Sequence, residues 1–450
     1  MSNFRPINRD TGFLLPPSVD EWLPQRHLAR FVVEVVDRLD LSALEKAYRG
    51  SGSASYHPAM LLSLLVYGYA TGVFSSRALE RATHDSVAVR FIAGNEHPDH
   101  DTIANFRKRF LGQIEPLFVE VLKLARALGM LKLGTVALDG TKLHANASRH
   151  SALSYGHATK LEKQLKREVK QLLKLAEAAD GVNTPDGMSI PAELERREQR
   201  LAAIAEAKAK IEAWVEEREK AEYQAKLAAR EAQTQRTGKK PGGRPPEPPS
   251  GGVAAKEQIN LTDEDSRIMP VAGGGFDQCY NAQAVVATES LLIVAHDVVQ
   301  AANDKQQLAP MLGRLQGLPK PLGRVRRLLA DAGYASELNV ERCEAARIEP
   351  LIALGRERHH AGWRQRFAPA PKAPPPHATA LERMAHRLKT PAGRKLYALR
   401  KQTPEPVFGS IKSAMGFRQF LLRGLPNVRG EWNLVAMSWN IKRMFALRPA

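Results

Sequence analysis

The stretch VALDGTKLHANAS, residues 136–148, ends an apolar run on a carboxylate. Val136, Ala137 and Leu138 suit a buried strand. Asp139 follows, then Gly140, Thr141 and Lys142. Aspartate often closes a strand simply because it forms turns. The sharper reading is half of a metal site, which needs other carboxylates delivered to the same point. RRLLADAGYAS, residues 326–336, repeats the context: an apolar run ends on Asp331, followed by Gly333 and Tyr334. If both strands share one sheet, both aspartates can emerge at one edge. Two desolvated carboxylates at close range repel each other, so such a pair implies a cation. A third ligand is available in YALRKQTPEPVFGSIKSAMGF, residues 397–417, where Glu405 lies between two prolines. Pro406 suits the first position of a helix, which places Glu405 at or just before the first turn. Lys412 is two turns on and shares the face of Glu405.

The chain of 450 residues is too long for one ordinary core, so two or three folded units are expected. Lys and Arg number 66 against 48 Asp and Glu, a formal charge of +18. This favours a polyanionic partner. Residues 381–450 hold fourteen Lys or Arg and three Asp or Glu, a net of +11, which makes nucleic acid the expected partner. No apolar run is long enough to span a membrane. The first residues, MSNFRPINRD, contain no apolar signal core, and two cysteines, Cys279 and Cys343, suit a reducing compartment. A cytoplasmic, nucleoid-associated protein is expected.

Residues 1–128 read as all helix. Leu28, Val32, Val35 and Leu39 make an amphipathic stripe, and YHPAMLLSLLVYGYATG is apolar nearly all round, as a central buried helix would be. In DTIANFRKRF, Ile103, Phe106 and Phe110 form one face and leave Arg107, Lys108 and Arg109 outward. A helix-turn-helix and a small bundle with a solvated face both fit. From Thr135 the order becomes strand, two strands, helix, strand, helix and strand, which predicts a mixed α/β sheet. Residues 157–232 interrupt it with charged helices. Leu161, Leu165, Val169 and Leu172 form one stripe, and Leu194 and Leu201, then Ile204 and Ile211, recur at seven. An inserted antiparallel helical hairpin is expected there, followed by a flexible linker over 233–255. APAPKAPPP, residues 368–376, reads as a second linker.

These segments together resemble a DDE-type transposase of bacterial insertion sequences. The carrying residues are ALDGTKLHANAS, LTDEDSRIM, CYNAQAVV, LLADAGY and EPVFGSIKSAMGFRQFLLRGLPNVRGEWNLVAMSWNIKRM. The N-terminal YHPAMLLSLLVYGYATGVFSSRALE and DTIANFRKRF resemble the helical domain that precedes the catalytic core in that family. The resemblance extends over nearly the whole chain. It implies a ribonuclease-H-like catalytic domain over 129–450 and a helical domain over 1–128 that binds the transposon ends. It also implies two divalent ions, Mg2+ or Mn2+, held by Asp139, Asp331 and Glu405. The partners implied are double-stranded DNA, as terminal inverted repeats and target, and further copies of the chain on that DNA. The family's Tyr-x2-Arg…Glu-x6-Lys signature falls on Tyr397, Arg400, Glu405 and Lys412. Four residues separate Arg400 from Glu405 where the family pattern has three, and Lys401 sits at the family distance, so both cations are candidates. Lys142, Tyr397, Arg400, Lys401 and Lys412, with Arg107, Lys108 and Arg109, are the expected DNA contacts.

Metal-ion chemistry needs no protein nucleophile, which agrees with the lack of a Ser/His or Cys/His constellation. AGGGF, residues 272–276, lacks the ending of a phosphate loop and reads as a turn. Asp263 and Asp265 could add charge near the acids, though a solvated turn before a strand is the expected reading. Gly243-Arg244-Pro245 resembles the core of a minor-groove hook without its flanking arginine, so a plain linker is the expected reading. Two rivals to an active transposase stand: a related nuclease that does not join strands, and an inactive or domesticated DNA-binding descendant.

Overall fold

A computed structural model of the chain describes residues 18–48, 55–178, 190–238, 242–249, 251–271, 273–355 and 372–448. The chain divides into two compact units, residues 1–144 with 279–450, and residues 145–278.

The first unit begins with seven helices: α1 Val19–Trp22, α2 Leu28–Val36, α3 Ser42–Glu45, α4 Pro58–Thr71, α5 Ser76–Asp85, α6 Val87–Ile92 and α7 His100–Ala127. Helix α4 starts with Pro58 at its first position and stops at Gly72, which has a φ of 87°. It is buried on nearly every side, as its lack of a polar face dictates. Strand β1, Thr135–His144, follows. In the second unit come β2 Ala152–Ser154, α8 Tyr155–Ala178, α9 Ile190–Thr237, β3 Gln258–Asn260 and β4 Arg267–Pro270. Strand β5, Phe276–Ala287, leads back to the first unit, where β6 Ile293–Val299, α10 Leu308–Gln316, β7 Arg327–Ala330, α11 Glu337–Ala345 and β8 Glu349–Ile352 follow. The last helices are α12 Ala380–Lys389, α13 Pro391–Ala398, α14 Pro404–Ser413 and α15 Leu425–Leu447.

In the first unit the strand order is β6-β5-β1-β7-β8. The pairs β6–β5 and β5–β1 are antiparallel, whereas β1–β7 and β7–β8 are parallel. The expected mixed sheet is therefore present. Helix α15 packs on α4, α7 and β6. Its side chains bond the sheet directly: the Asn440 amide pairs with both backbone groups of Ile293, and Trp432 Nε1 donates to the Gln283 carbonyl at 3.2 Å. The apolar faces of α4 and α7 are covered by a helix from the far end of the chain, so helices and sheet share one core. Much of the basic C-terminus is also engaged internally. Lys442 caps the Ala70 carbonyl, Arg443 the Ser290 carbonyl, and Arg429 pairs with Asp297.

In the second unit α8 and α9 lie antiparallel, with Glu162 paired to Lys208 and, farther along, Glu168 to Arg197. Their seam buries Leu165, Ile204 and Ile211, with Leu161 and Leu201 packed against it. Strands β2 and β3 form a separate two-stranded ladder. Arg244 is ion-paired with Glu247 at 2.6 Å, which leaves the hook reading without support. Asp263, expected on a solvated turn, is buried. Residues 368–371 of the second linker lie outside the described residues, and 372–376 carry no helix or strand. Among the described residues no single helix is long and apolar enough to cross a membrane.

His296 in β6 gives a testable consequence of the α15 contact. It is buried, bonded to Asn433 Oδ1 at 2.9 Å and set edge-on to Phe118. Burial, aided by the nearby Arg314 charge, pushes its pKa down to about 4. Between pH 6.5 and about 4 the unfolded chain takes up a proton that the folded chain refuses. Stability is thus fully present above pH 6.5 and falls as pH drops, by on the order of 2–3 kcal/mol. Urea unfolding at pH 7 and 4.5 should show this loss. His296→Gln should shrink it, and an unchanged difference would show that other groups carry it.

Candidate active site

Leu138 of β1 pairs with Ala330 of β7 in a parallel register, which sets Asp139 and Asp331 side by side; β7 ends there, whereas β1, expected to end at Asp139, runs on to His144 because it stays paired with β5. Neighbouring strands are roughly 4.8 Å apart, which brings the two side chains within reach of one object. Each aspartate fixes one oxygen on its own turn: Asp139 Oδ1 accepts from Gly140 N, and Asp331 Oδ1 from Gly333 N, both at 2.9 Å. The second oxygens are left to face outward together.

They face Arg400. Its Nη2 lies 3.3 Å from Asp139 Oδ2 and 3.5 Å from Asp331 Oδ2, and its Nη1 lies 3.3 Å from Glu405 Oε1. All three acids thus surround one guanidinium. The 3-10 turn Leu399–Gln402 and the start of α14 deliver Arg400 and Glu405 to this point. Helices α12 and α13 secure that segment: Leu388, Leu396, Tyr397 and Leu399 pack on Ala137, Leu329 and Leu351. Helix α14 starts at Pro404 rather than Pro406, so two prolines share its first turn. That turn has unpaired N–H groups in any helix, so proline loses nothing there.

The site grades from dry to wet. The Asp139 side chain is 14% exposed, Asp331 38% and Glu405 55%. Burial pushes the Asp139 pKa up to about 7, with Asp331 and Asp304 adding to the rise and Arg400 opposing it.

Asp304, on the loop between β6 and α10, was not singled out in the sequence. Its Oδ1 accepts from Asn281 Nδ2 at 2.7 Å and Gln283 Nε2 at 2.8 Å, and Lys142 Nζ lies 3.8 Å away. Gln283 Oε1 in turn accepts from the Tyr334 hydroxyl, which ties the turn after Asp331 to β5. An aspartate ahead of a helical pattern looks like any other N-cap, so nothing local marked it. This network also explains the glycine after Asp139. A Cβ on Gly140 would stand 2.3 Å from Gln283 Nε2 and 2.7 Å from Asp304 Oδ1.

Other expected contacts divide. Lys412 Nζ donates to the Lys142 carbonyl at 2.9 Å, and burial lowers the pKa of both lysines. Arg400, not Lys401, meets the acids, and Lys401 is exposed. The ring of Tyr397 is half-buried against the sheet. Arg107 does not point outward: it is buried, and its Nη1 donates to the Tyr69 hydroxyl and the Phe74 carbonyl, both at 3.1 Å. The buried stripe of α7 is wider than expected, with Phe106, Arg107, Phe110 and Leu111 all inside. Lys108 and Arg109 are exposed, though Arg109 already bonds the Ala47 carbonyl.

Residues 17–109 match a family model described as "Transposase domain (DUF772)", and residues 373–445 one described as "Transposase DDE domain". These matches indicate a transposase, an enzyme of the transposase or nuclease kind, and transposases bind DNA. Taken together, the two domains support a DDE-type transposase of insertion sequences. Arg400, Glu405 and Lys412 lie inside the second match, while Asp139 and Asp331 lie outside both. No curated protein and no solved structure matches the chain.

DDE transposases generally use divalent metal ions. Three carboxylates are the hard oxygen donors that such ions take. Among the described residues no three acidic, histidine or cysteine side chains are gathered closely enough to share an ion. The guanidinium occupies the centre of the group instead. Arg400 Nε is buried without a hydrogen-bond partner, so this cation is incompletely satisfied where it stands. The three acids have the donor chemistry for a divalent cation, but as they stand they are arranged around Arg400.

Proposed function

We propose that the chain cleaves and joins DNA strands at the inverted-repeat ends of its insertion sequence, with two divalent ions at a ribonuclease-H-like core. The observation that carries this reading is the convergence of Asp139, Asp331 and Glu405, from three distant segments, on one positive charge. The strand arrangement, three antiparallel strands continued by two parallel ones, supports the same core. When bound, the ions activate a water or a 3′-hydroxyl and stabilise the leaving oxygen. The protein's own part is to hold and to balance charge. Asp139 Oδ2 and Asp331 Oδ2 are fixed by their backbone-bound partner oxygens. Glu405, nearest solvent, closes the group from the helix side. Arg400 neutralises the acids, and with ions held by those acids its guanidinium would be available to the scissile phosphate. Lys142 and Lys412 hold the neighbouring phosphates, with Lys401, Lys108 and Arg109 farther out. Residues 1–128 supply end recognition, and two copies of the chain pair the ends.

The test is incubation of the full chain with duplexes carrying the element's ends, in Mg2+ or in chelator. Metal-dependent nicks at the ends and joined products are expected. Cuts without joined products would mean a nuclease, and binding without cuts an inactive descendant. Lys412→Ala should weaken end binding several-fold and leave residual cleavage; unchanged binding would remove Lys412 from the DNA contacts.

A further inference from the structure

The parallel strands have a second end. Opposite the acids lies a cavity of about 840 Å³. Its walls come from the segments that lead into the three parallel strands: Leu133 ahead of β1, Arg324 and Arg326 ahead of β7, and Arg347 ahead of β8. Arg126 at the end of α7 and Lys320 complete the rim. Five cations therefore line it, and no carboxylate does.

Nearby arginines are neutralised. Arg327 pairs with Glu349 at 3.0 Å, and Arg383 and Arg387 both pair with Glu344. Among the described residues none of the five rim cations has such a partner. Arg326 and Arg324 alternate along an extended segment and so fall on one side. Arg347 is held with a φ of 57°, a backbone region in which bulky side chains are rare. All five are exposed. Cations collected around a concave, carboxylate-free surface repel one another unless an anion joins them, and the space exceeds one phosphate group. Arginine forks suit phosphate oxygens. Arg326 and Asp331 are five residues apart, roughly 16 Å along the strand. The basin lies at the start of the parallel strands and the acids toward their ends.

We infer that this basin is a second, non-catalytic docking surface for the phosphate backbone of duplex DNA. The choice of DNA rests on the function proposed above, but the test requires neither metal nor cleavage. Binding of the full chain to a duplex without end sequences is measured in chelator from about 50 to about 200 mM salt, where each neutralised phosphate contributes a slope of about −0.9. The double change Arg324→Ala with Arg326→Ala should make the slope shallower by about 1.8. Arg324→Lys with Arg326→Lys should keep it, because charge rather than fork geometry sets this term. If the alanine pair does not fold, Arg347→Asn, which tolerates positive φ, should flatten the slope by about 0.9. An unchanged slope in a folded variant overturns the inference. So does a basin that binds tripolyphosphate, loses it in the alanine pair, and leaves the DNA slope as it was. A chain that binds DNA with these slopes but never cleaves the ends would overturn the proposed function and leave this surface standing.

Discussion

Asp139→Asn, Asp331→Asn and Glu405→Gln should each lower cleavage at the element's ends by at least about a thousandfold while leaving end binding intact. A carboxylate-to-amide change keeps shape and removes one negative charge from the group around Arg400. Bound ions supply several kcal/mol of charge stabilisation to the reacting phosphate, and each 1.36 kcal/mol lost is tenfold in rate. Binding should hold or tighten, because a negative charge that repels phosphate is gone. The ranking should follow depth. Asp139, the most buried and fixed by Gly140, should be the least tolerant, and Glu405, the most exposed, should retain the most activity. Mn2+ should restore part of the Glu405→Gln activity, since it accepts a wider range of ligands than Mg2+. Cleavage and gel-shift are to be measured on one substrate. Wild-type cutting by Asp331→Asn would mean that the second acid is misassigned and that the site reading fails.

Gly140→Ala is expected to be nearly as damaging, by a different route. The added methyl would lie 2.3 Å from Gln283 Nε2, 2.7 Å from Asp304 Oδ1 and 2.9 Å from Asn281 Oδ1. These atoms cannot retreat singly, because they are bonded to one another. Overpacking costs about 1–3 kcal/mol, and each buried polar group left unpaired costs about as much again. A loss of about 3–5 kcal/mol in urea unfolding should result. Gln283→Ala in the same chain should return part of it by making room. If Gly140→Ala alone is neutral, β1 and β5 are not as close as described, and the network is not what positions Asp139.

Much of this architecture was readable from local pattern. The apolar character of Val136–Leu138 and Leu328–Ala330 fixes two buried strands; β7 ends where its apolar run meets Asp331, but β1 continues past Asp139 to His144, because pairing with β5 carries the strand on beyond the apolar run. The all-round apolar α4 could only be a central helix. The heptad-spaced leucines and isoleucines of residues 161–211 required helices that pair. These readings hold because strand and helix periodicities are imposed by backbone geometry within a few residues.

What the local pattern did not contain was anything that depends on which distant segment arrives. Arg107 reads as a surface cation until α15 and Tyr69 are in place to surround it. Asp304 carries no local mark, and only the folded chain brings the Asn281 and Gln283 amides to it. Between Arg400 and Lys401, spacing favours neither; the choice was made by the 3-10 turn, which aims residue 400 into the acids and residue 401 into solvent. Nor does local pattern say that a helix three hundred residues later covers α4 and α7. Sequence alone therefore determined the type and order of most elements. Tertiary packing decided which charges are buried, which are paired and which remain open to DNA, because desolvation and ion pairing act through space between groups that the chain order keeps far apart.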